Sequence, residues 1–531
     1  MDLSIACIVF LSFSASGRAG SLDFCARGYL AKLTQRPRRG AAGGGDRSTR
    51  PALGPVPVGR PPSGRVTRLL FFGLTGAIAM NRRRFLGSLA ALGAASSLRP
   101  SLISATVGAG RKPRVGLVGC GWYGGVVLDA IATSSDVSIV SLCDPDQRAL
   151  DKTRQAVLGF GQPEPRLHVD YREMLEPGAH DIVIVSTPDH WHTLPAITAM
   201  QAGADVLLEK PISVDVIEGE ALVAAARKHQ RVVQVNLQRR STRCLAEARD
   251  KYLKSGRIGR IGLVETFSHL PGRPPGVIKE TPPPAELNWD LWTGPAPMLP
   301  FRLSGDMKSW RAFMEYGNGQ IGDLGVHMLD TVRWMLNLGW PSVISSTGGI
   351  YVDRDSTSTI SDTQHSLFRY PELELTWQHR TWGAPSTPPK HWTDQWGARV
   401  LGSGGTLTLS IVGYEFTPAD GGPKEGFSLL STSGDLENID ADRLGPELEV
   451  VQKDHVANFM RAREARSRPI ADIEEGHISS ACCILANVAQ ELGRPLRYDP
   501  ITRTVRDDEE ATSRLARPYR APWQHPDPAH V

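Results

Sequence analysis

An apolar segment that runs straight into a glycine-rich turn and then a helix constrains this chain more than any other feature. Arg114 to Val118 reads as a buried strand, followed by Gly119-Cys120-Gly121-Trp122-Tyr123-Gly124 and a helical pattern with Val126, Val127, Ala130 and Ile131 facing inward. In G-x-G-x-x-G the first glycine permits a tight turn, the second lets the backbone approach a pyrophosphate, and the third allows close helix packing. The helix N-terminus then offers free N–H groups to the phosphates. Alone the motif is weak evidence for a dinucleotide site; its context strengthens it. A second strand, Val137 to Cys143, ends at Asp144, twenty residues beyond Gly124, where an acid accepts hydrogen bonds from the adenosine ribose. A carboxylate there repels a 2′-phosphate, so NAD is expected over NADP. The plainer alternative makes Asp144 a turn residue before Pro145.

The alternation continues. Asp181 to Ser186, Asp205 to Leu208 and Val232 to Val235 read as strands, with helices at Leu194 to Ala202 and 215–229 between them. This is the pattern of an α/β fold with a doubly wound parallel sheet, a Rossmann domain over 113–236. Ligands bind at the carboxyl ends of such strands, which brings Thr187, Pro188, His192, Glu209 and Lys210 into the site. Beyond Asn236 the character changes. A helix is expected over Arg240 to Ser255, and strands over Ile261 to Leu270, Val343 to Val352, Gln364 to Tyr370, Leu373 to His379 and Arg399 to Leu409. Their hairpin spacing predicts a large, mostly antiparallel open sheet in an α+β domain over 237–493, with a proline-rich loop over 271–300. Helices at Asp454 to Arg466 and Glu474 to Leu492 precede a C-terminal tail, 494–531.

The formal charge of +4 conceals an uneven distribution. Residues 1–112 hold 17 Lys/Arg against 3 Asp/Glu, which leaves the remainder near −10. An acidic body has no electrostatic footprint for nucleic acid or anionic lipid. No apolar stretch reaches the roughly 18–20 residues of a membrane-spanning helix, so stable membrane insertion is not expected. The seven cysteines form no C-x-x-C pair, and His365, His379 and His391 lack metal-ligand spacing, so no metal site is expected. Residues 1–68 are rich in Gly, Pro, Arg and Ala, and 1–79 are expected to be disordered or an over-extended start, with Met80 the true one. Arg82-Arg83-Arg84-Phe85-Leu86-Gly87 and the short apolar stretch to Leu98 resemble a twin-arginine export signal within 80–112. Periplasmic export is expected, with cleavage between Ala95 and Lys112; the alternative is a basic leader on a cytoplasmic protein.

The glycine loop, Thr187-Pro188-Asp189-His190-Trp191-His192, Glu209-Lys210-Pro211 and Gly322-Asp323-Leu324-Gly325-Val326-His327-Met328-Leu329-Asp330 together resemble the Gfo/Idh/MocA oxidoreductases. The resemblance runs from residue 113 to about 525, and the tail from Asp507 through Trp523 looks like exported members. It implies a cofactor site of Gly119, Gly121, Trp122, Tyr123, Gly124, Asp144, Thr187, Pro188, His192, Glu209 and Lys210. It also implies that Lys210, Asp323 and His327 converge on the substrate hydroxyl, and that the protein is a homo-oligomer, a dimer or tetramer.

Oxidising a secondary alcohol requires hydride departure and removal of the hydroxyl proton. His327, with an ordinary pKa near ~6.5, suits the proton acceptor. Asp323, four residues earlier on the same helix face, is expected to fix the imidazole tautomer. Lys210 is expected to stabilise developing alkoxide charge. Arg239, Arg240 and Trp310 are candidate substrate contacts; Asp330 is either a further one or a salt-bridge partner. The tryptophans crowded between Trp289 and Trp396 suit carbohydrate stacking, or else pack the sheet. The expected function is an exported NAD(P)-dependent oxidoreductase acting on a hydroxyl of a sugar, polyol or glycoside, with its cofactor retained. The alternatives are an NAD-assisted glycosidase and a non-catalytic NAD-binding regulator.

Overall fold

The computed structural model describes residues 111–270, 276–303, 307–383, 395–433 and 440–531. The export signal, the start at Met80, His391 and Trp392 lie outside the described residues.

Strand β1 (Arg114–Val118) enters the glycine loop and helix α1 (Trp122–Ser134). Then come β2 (Ser138–Cys143), α2 (Gln147–Gly159), β3 (Arg166–His168), β4 (Ile182–Val185), α3 (Thr193–Gln201), β5 (Asp205–Leu208), α4 (Val216–Lys228) and β6 (Val233–Val235). The six strands lie in the order β3-β2-β1-β4-β5-β6, every neighbouring pair parallel. Ile182 to Val185 is buried throughout, as befits a strand covered on both faces. Strand β3, three residues long and largely exposed, carries no apolar pattern that would reveal it.

The region read as one helix over Arg240 to Ser255 is broken: a 3₁₀ turn at Gln238–Ser241, α-helix at Arg243–Ala248 and π-helical turns at Arg249–Lys254. The second sheet has eight strands: β7 (Ile261–Ser268), β8 (Val343–Gly349), β9 (Thr363–Arg369), β10 (Glu374–Arg380), β11 (Trp396–Gly402), β12 (Gly405–Leu409), β13 (Gly413–Pro418) and β14 (Glu425–Ser428). Their order is β14-β13-β12-β11-β7-β10-β9-β8, antiparallel except where β7 meets β10. The single strand expected over Arg399 to Leu409 is a hairpin that turns at Ser403-Gly404, and β13 and β14 extend the sheet beyond it.

Helices α5 (Val326–Leu336) and α7 (Ile473–Leu492) carry buried apolar faces into one core shared with this sheet. The intervening helix α6 (Leu444–Ala465) behaves differently. Its Val456, Phe459 and Ala462 join the core of Val115, Leu117 and Ile131, so a helix distant in sequence completes the dinucleotide domain. The tail also returns: Val216 and Ile217 N–H groups donate to the Leu515 carbonyl, and Arg517 N–H donates to Asp215 at 2.8 Å. The described cysteines, Cys120, Cys143, Cys244, Cys482 and Cys483, are free and buried. Among the described residues no helix is long and apolar enough to cross a membrane.

Candidate active site

The glycine loop shows why each glycine is there. Gly119 has φ +93°, and a Cβ on it would meet the Ser186 carbonyl at 2.5 Å, where β1 and β4 end side by side. At Gly124 a Cβ would strike the Gly119 oxygen at 2.0 Å, so α1 packs against the loop only because that side chain is absent. A Cβ on Gly121 would meet no protein atom within 4 Å; its exposed backbone faces open space at the helix N-terminus. No acidic residue occupies the first turn of α1 and no side chain caps it. Its free N–H groups suit a diphosphate.

Asp144 stands at the end of β2, its Oδ2 accepting from Cys120 N–H at 2.8 Å and its Oδ1 from Asp146 N–H at 2.9 Å. Each carboxylate oxygen keeps a further acceptor site. Burial pushes its pKa up to about 6, so it is ionised at neutral pH. At the end of β4, the buried Ser186 and Thr187 hydroxyls have no protein partner. Orphaned hydroxyls, an open cradle at Gly121 and a fixed acid at Asp144 fit a dinucleotide. Trp122 and Tyr123 differ in role. Lys308 sits 5.2 Å over the Trp122 ring, which is 40% exposed. The Tyr123 hydroxyl accepts from Gln238 Nε2 at 2.6 Å and donates to Gln452 of α6 at 3.3 Å.

The turn after β4 and the turn after β5 are knitted together by His192. Its ring nitrogens lie 2.6 Å from the Pro211 carbonyl and 2.9 Å from that of Thr187. Burial lowers its pKa to about 4, so the neutral ring donates to one of the two carbonyls, and His192 positions the two turns. Glu209 is likewise engaged, accepting from Asn236 Nδ2 and from Lys210 N–H. Burial pushes its pKa up to about 7.

Lys210 extends from the end of β5, where the Lys210–Pro211 peptide is cis, to the second domain. Its Nζ donates to Asp323 Oδ1 at 2.9 Å and to the Asp323 carbonyl at 2.8 Å. Arg311 approaches the same carboxylate at 3.7 Å. Asp323 lies in the π-helical turns Ile321–Gly325 that lead into α5, on which His327 follows. His327 is buried, and its Nδ1 has no hydrogen-bond partner. Its pKa is driven well below the ordinary value by burial and then by the Lys210 and Arg239 charges. The expectation that Asp323 fixes the tautomer of His327 is therefore corrected at Nδ1, because the carboxylate is claimed by the lysine ammonium.

Two further expectations change. Arg240 and Asp330 satisfy each other in a buried pair at 2.7 and 2.8 Å, with Ser479 also donating to Asp330 at 2.8 Å. Neither is available to a substrate, and Asp330 takes the salt-bridge side of its two readings. Trp310 is packed into the aromatic cluster with Trp292 and Tyr316, and Arg311 covers its ring at 4.3 Å, so its face is not open for stacking. Arg239 differs from the other three: it is buried, yet its Nε and Nη1 make no hydrogen bond.

Asp189 lies inside the Thr187-to-His192 motif, but its residue type and spacing do not mark it as a site group. It is 6% exposed, and burial lifts its pKa to about 8 against the pull of Lys210 and Arg311. From about pH 4 upward the unfolded chain has released this proton. The folded protein holds it until about pH 8, so this carboxyl makes stability fall with rising pH across that window. Asp189→Asn is expected to gain stability relative to the parent as pH rises from 5 to 8, and to level off above. Urea melts at several pH values check this; a difference that stays flat contradicts it. Among the described residues Asp215, Glu218 and His525 could group around a metal ion. Their oxygens and His525 Nε2 are already bonded to one another, to Tyr519 and Thr193, and to backbone N–H groups of Val214, Glu218 and Arg517.

A family model described as an oxidoreductase family with an NAD-binding Rossmann fold matches residues 113–237. A second, described as the C-terminal alpha/beta domain of that family, matches 275–374 and 443–525, and together the two span more than half the chain. The chain belongs to the Gfo/Idh/MocA oxidoreductase family. Its N-terminal folded domain is the family's NAD-binding domain, and NAD is its cofactor. A relative named glycosyl hydrolase family 109 protein, from Stenotrophomonas maltophilia, is 37% identical over 134 residues, 24% of this chain and 29% of that protein. The match thus spans less than a third of that relative. Two solved Gfo/Idh/MocA-like folds align along nearly their whole length. One is an Agrobacterium radiobacter oxidoreductase solved with NAD+, L-tartaric acid and magnesium (16% identity, TM-score 0.55, 73% of this chain, 98% of that one). The other is aldose-aldose oxidoreductase from Caulobacter crescentus with glycerol (18% identity, TM-score 0.53, 73% and 100%).

Proposed function

We propose that this chain oxidises or reduces a secondary hydroxyl carbon of a sugar, polyol or glycoside with NAD. The observation that carries this is the Lys210 ammonium, fixed on Asp323 at 2.9 Å at the end of β5, with neutral His327 on the helix that follows Asp323. NAD, when bound, supplies the hydride acceptor or donor. The protein handles the proton and the charge. In the oxidising direction the hydroxyl proton passes to His327, and Lys210 stabilises the oxygen as charge develops. Burial and two neighbouring cations keep His327 unprotonated but also weaken it as a base, which Lys210 offsets by stabilising the oxygen that loses the proton. Asp323 is a positioning residue that holds the lysine in place.

The second reading is a glycosidase in which transient oxidation precedes elimination and the NAD is regenerated. The relative named as a glycosyl hydrolase favours it. The experiment that separates the two supplies purified protein with sugars, polyols and aryl glycosides, then follows nicotinamide absorbance and products together. Net reduction of NAD with a keto product supports the first reading. Free sugar with no net change in NAD identifies the second, and neither product with any compound overturns both. We also propose export of a folded homo-oligomer that retains its cofactor, resting on the arginines at 82–84 and the scarcity of free NAD outside the cytoplasm. A dinucleotide that copurifies and fails to exchange is the expected result.

A further inference from the structure

The loop after β6 holds two buried arginines that the fold treats in opposite ways. Arg240 is matched by Asp330, Glu475 and the Ile470 carbonyl. Arg239, 6% exposed, has no partner at Nε or Nη1. A guanidinium out of water without an anion is strongly disfavoured, and structure alone gives no reason to retain one.

Its place in the sheet says which ligand could meet it. β6 is the edge strand, three positions from β1. The turn after β6 nevertheless reaches back to the glycine loop, where Gln238 Nε2 donates to the Tyr123 hydroxyl at 2.6 Å. β5, which Lys210 follows by two residues, lies immediately beside β6. The Arg239 charge is one of those that depress His327. Arg239 therefore lies between Tyr123 of the glycine loop and His327 at the hydroxyl end of the site.

The charges there do not balance. Asp323 is the carboxylate ion-paired with Lys210, and Arg311 approaches it as well. Asp189, with its pKa raised to about 8, is mostly protonated at neutral pH, and Glu209, raised to about 7, carries only part of a charge. Arg239 is left as a surplus cation.

We propose that Arg239 receives a carboxylate of the substrate, so that the hydroxyl presented to Lys210 and His327 belongs to a sugar acid, an aldonate or uronate. This rests on the hydroxyl-chemistry reading above. Guanidinium and carboxylate match in shape and charge, and the pairing fixes which carbon faces the nicotinamide. A neutral sugar leaves the cation unmatched.

Calorimetry on the NAD-loaded protein tests this without requiring turnover. The probes are D-glucuronate, D-galacturonate and D-gluconate, each against its neutral counterpart, D-glucose, D-galactose or D-glucitol. At least one acid is expected to bind roughly tenfold to a hundredfold tighter than its partner, the range of one charge-assisted contact. Arg239→Met is expected to abolish that preference, keep NAD bound and melt no lower than the parent. Arg239→Lys, which keeps the charge and loses the fork, is expected to retain part of the preference and serves if the methionine variant does not fold. Equal binding of acids and neutral sugars, binding of none, or release of NAD from Arg239→Met overturns the proposal. Acid preference without any NAD turnover supports Arg239 and sinks the hydroxyl-oxidation reading; turnover of neutral sugars without acid preference does the reverse.

Discussion

Lys210→Met is expected to lower kcat by about 10²–10³-fold, the usual cost of removing one charge aimed at a developing oxyanion. The argument rests on where the ammonium is held. Its two acceptors, the Asp323 carboxylate and carbonyl at 2.9 and 2.8 Å, belong to the second domain, while the lysine itself follows a strand of the first. Methionine keeps the length and removes the charge. It should therefore lose transition-state stabilisation while NAD remains bound. Arg restores charge but not a compact ammonium, and is expected to recover little of the rate. Asp323→Asn frees the lysine and is expected to lower kcat less than Lys210→Met does. Steady-state kinetics beside a direct NAD titration checks the series. A Lys210→Met enzyme within a few-fold of the parent removes Lys210 from the chemistry.

How much of this was legible in the chain depends on the separation of the partners. The glycine loop, Asp144 and the lysine at the end of β5 were readable because motif and strand are contiguous, so spacing alone sets position. The part His192 plays between the two turns was not legible. Its ring lies between backbone carbonyls, one of them nineteen residues away, which residue type does not disclose. Trp310 failed for a similar reason: an indole is visible in sequence, but the Arg311 guanidinium over its face is not. The link from Tyr123 to Gln452 spans 329 residues and needs α6 to dock on the first domain, which no local pattern announces. Asp189 lay inside a quoted motif, yet its raised pKa depends on burial that only the folded chain supplies.

Asp330→Ala is expected to destabilise the protein by about 3 kcal/mol, because it leaves the buried Arg240 guanidinium with only Glu475 and the Ile470 carbonyl as partners. The two side chains are 1% and 4% exposed, and the pair is closed by Ser479 and the Ile470 carbonyl. Removing both partners together, as in Arg240→Met with Asp330→Leu, is expected to recover most of the loss, since buried ion pairs gain little over apolar packing of similar volume. Urea melts of the single and double variants measure the difference. The consequence for the site follows from position. Asp330 lies one turn beyond His327 on α5, and Arg240 adjoins Arg239 after β6. The pair thus pins the loop that carries the unmatched cation to the helix that carries the proton acceptor. The double variant should accordingly fold well and still turn over more slowly than the parent, its stability restored without the fixed spacing between loop and helix. A double variant with the parent's rate would show that the pair serves stability alone.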